Sequence, residues 1–328
     1  MTPLLLLLIL SSMLLLAALA GPRLIARSAP ALASTPRIAA AALSMGALLW
    51  ITGLLFLGPV VAWIGVGPQW LPAQATEICQ RCLIATSPFG PSELTFIIPA
   101  FIPLSVPFVG VAFIFAGLVR EFRRRCTAGR ALLAEVESCS SRTVVQDHHV
   151  WLSNDEEAEA FALPARRGGI IISRGTLELL SPKELESVLA HEQAHLDQRH
   201  HLWLTFLFGA THYFRWIPVV EAVRGAVPPF LEIAADQEAG RSSTPTRVAA
   251  ALLKLGELEP RLTPEVLIPA PPVVFNAVGS ERVRSLVGVP HPKGSRALAA
   301  TLLVCGIMLL FAVGIVHWPY VLAILTGC

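Results

Sequence analysis

The sequence predicts a multi-span α-helical membrane protein that carries a second, water-facing domain of mostly helical α+β structure. Hydrophobic residues make up 54% of the 328 residues and charged residues only 15%, whereas an ordinary soluble domain has about 25% charged residues. Of the charged residues, 42 lie between residues 120 and 296. Apolar stretches flank this segment on both sides. The formal net charge of +2 argues against direct nucleic-acid binding, which requires a basic face.

Four apolar stretches define the predicted membrane part. A bilayer core of about 30 Å is crossed by about 20 apolar helical residues, and four stretches have such a length and almost no titratable side chains: residues 3–20, 38–64, 94–119 and 297–325. The predicted domains are therefore three spans within 1–119, a water-facing domain at 120–296, and a fourth span with a short outer tail at 297–328.

The first stretch has an alternative interpretation as a cleaved signal peptide. Ala18-Leu19-Ala20 resembles a signal-peptidase site. However, no basic residue precedes the stretch, and the first ones follow it at Arg23 and Arg27. This order favours a retained helix.

Arginine in the flanking loops predicts the orientation of the spans. The loop 21–37 has three Arg and no acidic residue, and five Arg follow the third stretch between residues 120 and 130. The positive-inside rule places both regions in the cytoplasm. The loop 67–93 then lies outside, where Cys79 and Cys82 could form a disulfide or, less simply, a redox or metal site.

The water-facing domain contains several predicted elements. A helix is expected at 126–140, and strands are expected at Thr143–Val145, His149–Leu152 and Gly169–Ser173. Ser181, Pro182 and Glu184 have the pattern of a capped helix start. We expect that helix to run to about residue 201, because no Gly or Pro interrupts it earlier.

The main motif on this helix is His191-Glu192-Gln193-Ala194-His195. His191 and His195 are one turn apart on the same face, so their imidazoles can bind one Zn²⁺. Glu192 is close enough to act as general base toward a water at the metal. The alternative is a surface helix with two histidines of no special role.

A third ligand is predicted in Glu232-Ile233-Ala234-Ala235-Asp236, on a helix expected after Pro228-Pro229. Glu232 and Asp236 share a face at i and i+4. One carboxylate can bind the metal while the other accepts a hydrogen bond from a ligand histidine. The alternative is a solvated helix face.

The apolar segment 202–220 is interpreted as an interfacial or re-entrant piece docked on the helix bundle, since a fifth span would separate His191 and His195 from Glu232 across the membrane. His212, Tyr213 and Arg215 within it are weak candidates to stabilise an oxyanion. His200 and His201 are expected to be solvated. The strand Gly169–Ser173 is either an edge strand that pairs with an extended substrate or an ordinary sheet strand.

These motifs together resemble two related groups of integral-membrane zinc peptidases. The matching segments are 160–164, 169–175, Leu180 through His195, and Glu232–Asp236. The groups are the β-lactam sensor-transducer peptidases of the BlaR/MecR type, and the HtpX and CAAX-prenyl-protease group. The four-span layout is similar to the first group, but the penicillin-binding sensor domain that follows the last span in those proteins has no counterpart here.

The resemblance implies a zincin-like metalloprotease domain with one Zn²⁺ per chain. His191, His195 and Glu232 would be the ligands, Glu192 the catalytic base and Asp236 the partner of a ligand histidine. It also implies a multi-pass protein of the bacterial cytoplasmic membrane that cleaves protein or peptide substrates, including a DNA-binding repressor in regulated proteolysis. A membrane-protein quality-control protease and a non-catalytic metal-binding receptor or scaffold are the alternatives.

Overall fold

The computed structural model describes residues 3–66, 101–163, 168–256, 282, 284–287 and 307. The predicted outer loop with Cys79 and Cys82 lies outside these residues, as does the fourth apolar stretch except for Ile307.

Three long helices confirm the membrane part of the predicted fold class: α1 (Pro3–Leu32), α2 (Pro36–Val66) and α3 (Phe101–Cys139). By length and composition each could cross a membrane. The helix predicted at 126–140 is not a separate element but the C-terminal part of α3. Its charged side chains changed the hydropathy of the segment without interrupting the helical backbone.

A four-stranded sheet follows α3. Its strands are β1 (Ser140–Val145), β2 (His148–Ser153), β3 (Ala160–Leu163) and β4 (Gly169–Ser173). The order is β1-β2-β4-β3, in which β2 and β4 are parallel and the other pairs are antiparallel. The edge-strand interpretation of Gly169–Ser173 is therefore wrong, because β4 pairs on both sides and β1 and β3 are the edges of the sheet among the described residues.

The remaining described elements are helical: α4 (Arg174–Leu179), α5 (Pro182–Asp197), α6 (His200–Ala210), a 3₁₀ helix (His212–Phe214), α7 (Pro218–Ser242) and α8 (Pro245–Lys254). The apolar segment 202–220 is thus divided among α6, the 3₁₀ helix and the start of α7.

Two helix boundaries differ from their predictions. The motif helix α5 ends at Asp197 rather than near residue 201, because Arg199 adopts a left-handed conformation with φ 53° and α6 starts at His200. Helix α7 begins at Pro218 and carries Pro228 and Pro229 in its interior. The proline pair therefore does not mark the start of that helix.

Helix α7 is the centre of the largest core cluster. Val227, Phe230 and Ile233 are completely buried on it. They pack with small and branched side chains from the first two helices, namely Ile25, Ala29, Ala33, Ala39, Ala40 and Ala47. The small side chains let α1 and α2 approach α7 closely, so the helices predicted as membrane spans share a core with the domain that carries the metal-binding motif.

A second core lies between the sheet and α5. Val150 of β2 and Ile170 and Ile172 of β4 pack against Val188 and Leu189 of α5. Each of these side chains is at most 2% exposed, so α5 is fixed on the sheet by one apolar face.

Two glycines allow α6 to lie directly against α3. A Cβ atom at Gly117 would collide with the backbone oxygen of Gly209, and one at Gly209 would come within 2.8 Å of Leu118 Cα. The outer side of α6 exposes Leu202 and Phe206, which are 51% and 53% exposed.

We predict that Gly117→Ala destabilises the protein, because the added methyl group must separate α3 from α6. Overpacking of this kind typically costs about 1–3 kcal/mol. The matched control is Gly129→Ala on the same helix, where no atom outside the helix's own adjoining backbone lies within 4 Å of the added Cβ and the change should stabilise by about 0.5–1 kcal/mol. Thermal unfolding in detergent measures both, and equal melting temperatures would contradict the close approach of the helices.

Candidate metal centre

The N-terminal end of α5 is held by a charged capping arrangement. The carboxylate of Glu184 accepts a hydrogen bond from the backbone N–H of Ser181 at 2.8 Å and another from Nζ of Lys254 at 2.8 Å. These contacts lower the pKa of Glu184 to about 2. They fix the first turn of α5 to α8, and the apolar face of α5 then determines which side chains point away from the sheet.

His191 and His195 lie on the side of α5 that faces α7. His191 is 2% exposed, and the Nε2 atoms of the two rings are 3.1 Å apart. Glu232 of α7 is half-buried and brings one carboxylate oxygen to 3.6 Å from Nε2 of His191 and the other to 3.6 Å from Nε2 of His195. The structure therefore brings together the three residues that the sequence predicts as ligands.

These distances suit a single metal ion. Three ligand atoms, one from each residue, lie within 4.8 Å of one another. Ligands at about 2.0–2.1 Å from a tetrahedral zinc ion are about 3.3 Å from each other. Two imidazoles and one carboxylate are also a ligand set that zinc accepts. Within the described part of the chain, His191, His195 and Glu232 therefore form a group that could hold a metal ion.

The other ring nitrogen of each histidine has a partner of its own. Nδ1 of His191 lies 3.0 Å from Oδ1 of Asp236, although the ring N–H is not well aligned with that oxygen. Nδ1 of His195 lies 2.9 Å from Nδ1 of His200. Both Nε2 atoms are thus directed toward Glu232, as ligand histidines require.

The pKa values of the two histidines are shifted in opposite directions. Burial lowers the pKa of His195 to about 4, so this imidazole is neutral at physiological pH. Burial also acts to lower the pKa of His191, but the carboxylates of Asp236 and Glu232 outweigh it and raise that pKa well above its usual value. A metal ion at this position would compete with the proton of His191.

Arg282 is a member of the site that the sequence analysis missed. Its Nε donates to Oδ2 of Asp236 at 2.8 Å and its Nη2 donates to Oδ1 at 3.2 Å. The same Nη2 lies 3.3 Å from Glu232. Burial acts to raise the pKa of both carboxyl groups, but the contacts with the histidines and Arg282 lower them. Arg282 lies 46 residues beyond Asp236, so no local spacing could reveal the pair.

The other predicted site residues fall in two groups. Glu192 is 7% exposed and adjoins the cluster on α5, where its charge acts on His191. His212, Tyr213 and Arg215 lie beyond the far end of α6, an 11-residue helix that starts at His200, and such a helix is about 16 Å long. Tyr213 packs there against Phe113 of α3. The structure does not bring these three residues to the metal cluster.

His200 is also placed differently from its expected position. It is 4% exposed and contacts His195 edge to face, with ring centroids 4.8 Å apart. The expectation that it is solvated is wrong, because the reversal at Arg199 returns the chain toward the cluster. The neighbouring His201 remains half-exposed.

One comparison with known proteins found a similarity to a peptidase family. A sequence model of Peptidase family M48 matches residues 129–227. The matched part contains the sheet and His191, Glu192 and His195, and it ends five residues before Glu232. No curated protein and no solved structure matches the chain. The family match supports a metallopeptidase, and the long apolar helices are consistent with membrane association.

We predict that Arg282→Gln destabilises the metal-free protein, because the buried carboxylate of Asp236 loses its charged partner. Removing one partner of a buried ion pair costs about 3 kcal/mol of stability. Since the pKa of Asp236 is lowered from 3.8, the stabilisation is complete above that pH and is lost as the pH falls through the lowered value.

The control for this prediction is Arg130→Gln, an exposed position on α3, which should change stability by less than about 0.5 kcal/mol. Melting temperatures in detergent at neutral pH measure both variants. A wild-type melting temperature for Arg282→Gln would show that Arg282 does not stabilise the site.

Proposed function

We propose that the protein is a membrane-embedded zinc metalloendopeptidase that hydrolyses peptide bonds at the cytoplasmic face of a bacterial inner membrane. The observation that carries this proposal is the convergence of His191 Nε2, His195 Nε2 and the Glu232 carboxylate beside buried Glu192. His191, Glu192 and His195 lie on α5 within the segment that matches a metallopeptidase family, and Glu232 follows that segment on α7.

In this proposal His191, His195 and Glu232 hold one Zn²⁺ per chain. When bound, the ion would polarise the scissile carbonyl and lower the pKa of an attacking water. Glu192 accepts the proton of that water and delivers it to the leaving amine. Asp236 holds the ring of His191 in its ligand orientation, and Arg282 keeps Asp236 ionised and in place.

The edge strand β3 is the proposed site for an extended substrate backbone. It pairs with β4 on one side, and within the described part of the chain no strand covers its other side. Because β3 also packs near α5, a peptide added to this edge would run beside the helix that carries His191 and His195.

The position of α6 supports a site close to the lipid bilayer. Its N-terminal residue His200 touches the cluster, whereas Gly209 near its other end packs on Gly117 of the apolar helix α3. The exposed Leu202 and Phe206 suit contact with lipid. The proposed catalytic centre then lies within about one short helix of the membrane.

The substrate class has two candidates. The resemblance to the sensor-transducer peptidases supports a DNA-binding repressor cleaved in a regulated way. A protease for faulty membrane proteins is the alternative. A Glu192→Gln variant used as a trap in membranes distinguishes the two, since it should retain either a soluble DNA-binding protein or a range of membrane proteins.

We predict that substitutions of the four central residues have two different effects. His191→Ala, His195→Ala and Glu232→Ala should lose tightly bound zinc, because each removes a ligand. Glu192→Gln should keep zinc and lose nearly all peptide cleavage, because Glu192 moves protons but does not bind the ion. Metal content and proteolysis by purified protein in lipid nanodiscs measure the two effects.

Two results would contradict the proposal. Retention of full zinc by Glu232→Ala would show that the third ligand lies elsewhere. Wild-type cleavage by Glu192→Gln would exclude Glu192 as the base, and zinc binding without any cleavage by the wild type would favour a non-catalytic receptor or scaffold.

We predict that Cys139, which is exposed at the end of α3, faces the cytoplasm. A variant that keeps only this cysteine should react with a membrane-impermeant maleimide in permeabilised cells but not in intact ones. A variant that keeps only Cys79 is the control and should react in intact cells. Labelling of Cys139 in intact cells would contradict the proposed orientation.

A further inference from the structure

A chain of polar contacts continues from His195 away from the metal cluster. Nδ1 of His195 lies 2.9 Å from Nδ1 of His200, and Nε2 of His200 lies 2.9 Å from Oε1 of Gln198. The same oxygen accepts a hydrogen bond from Nε of Arg37 at 2.9 Å. Arg37 is in the first turn of α2, so the chain links the cluster to the turn between α1 and α2.

The donors and acceptors in this chain have one consistent assignment. Arg37 can only donate, so the Gln198 atom that faces it is the carbonyl oxygen. That oxygen can only accept, so His200 donates from Nε2 and accepts at Nδ1. His195 therefore donates from Nδ1 and directs the lone pair of its Nε2 toward Glu232. This is the tautomer that a ligand histidine needs.

The local backbone is shaped to make the contact between the two rings. In a continuous helix, a residue five positions after His195 would lie about 140° round the axis, away from the cluster. Arg199 instead adopts φ 53°, a conformation that is unfavourable for a residue with a side chain. The reversal returns His200 to the ring of His195, and strain of this kind is often found at functional sites.

The last residue in this series of polar contacts, Arg37, is also bound to α7. Nη2 of Arg37 donates to Oε2 of Glu238 at 3.0 Å, and Glu238 follows Glu232 and Asp236 on the same helix. The contacts of Arg37 thus connect α2, the end of α5 and α7 around His200.

We propose that His200 is a positioning residue for the metal centre: its Nδ1 fixes the ring orientation and tautomer of His195, and Gln198 and Arg37 hold His200 from the α1–α2 turn. This inference rests on the proposed function, because it requires His195 to be a metal ligand. It assigns to His200 for His195 the role that Asp236 has for His191, with a neutral ring in place of a carboxylate.

Two substitutions at His200 separate the contact with His195 from the contact with Gln198. In His200→Asn, the amide oxygen can occupy the position of Nδ1 and still accept from His195. In His200→Gln, the longer amide reaches the position of Nε2, and the acceptor at Nδ1 is lost. His201→Asn is the matched control, since His201 is the next residue of α6 and is half-exposed.

The test uses the full-length protein in detergent and has two readouts. Competition with a chromophoric chelator gives the zinc dissociation constant, and visible absorption of the cobalt-substituted protein reports ligand geometry. His200→Gln should weaken zinc binding about 10–100-fold and alter the cobalt spectrum. His200→Asn should weaken zinc binding less than His200→Gln, because it keeps the acceptor for His195 and loses only the contact with Gln198, and His201→Asn should match the wild type.

A Gln198→Met variant tests the contacts that Gln198 makes with His200 and Arg37. Gln198 is half-buried and lies at the end of α5. The substitution should weaken zinc binding in the same direction as His200→Gln but less, because His200 keeps its contact with His195 and loses only its own anchor. This variant also keeps the proposal testable if His200→Gln does not fold.

The outcomes are distinct. Wild-type zinc affinity and cobalt spectrum for His200→Gln would overturn the positioning role, as would equal losses in His200→Asn and His200→Gln. Wild-type affinity for Gln198→Met would overturn the role of Gln198 and Arg37. A wild-type protein that binds neither zinc nor cobalt would overturn the metal site itself and this inference with it.

Discussion

The crossing of α5 and α7 is the constraint on which the rest of the structure depends. At this crossing two histidines and two carboxylates lie within a few ångströms in a largely buried place. Buried carboxylates are costly unless opposite charges and hydrogen bonds compensate them. Arg282 and His191 provide that compensation for Asp236. The two helices must therefore be held rigidly, since a small displacement would leave charge unpaired and would also separate the proposed ligands.

Each helix of this crossing is held by a different part of the protein. The sheet packs on α5 through Val188 and Leu189, and α1 and α2 pack on α7 around Phe230. Neither layer alone would determine how the helices meet. Helix α3 runs through residue 120, where the charge distribution of the chain changes, and α7 shares its core with α1 and α2. Charge distribution reports contact with solvent rather than which helices touch.

The parts of the site that follow from local spacing were predictable from the sequence. His191 and His195 on one helical face, Glu232 and Asp236 on another, and the helix start at Ser181 all depend on residues within one or two turns. The strand Gly169–Ser173 has the predicted bounds because β-branched residues between breakers give a strong local signal. Long-range contacts were not predictable: Arg282 reaches Asp236 from a distant segment, and the burial of His200 depends on one backbone reversal at Arg199.

The proposed zinc site is tested most directly by zinc K-edge X-ray absorption on the purified protein loaded with one zinc ion per chain. Coordination by His191, His195 and Glu232 predicts a shell of only nitrogen and oxygen atoms at about 2.0–2.1 Å, with the outer-shell scattering of two imidazole rings. The His195→Ala variant, prepared and measured in the same way, should show one imidazole fewer or no retained zinc. A sulfur shell at about 2.3 Å, or a wild-type protein that retains no zinc, would contradict the metal centre described for α5 and α7.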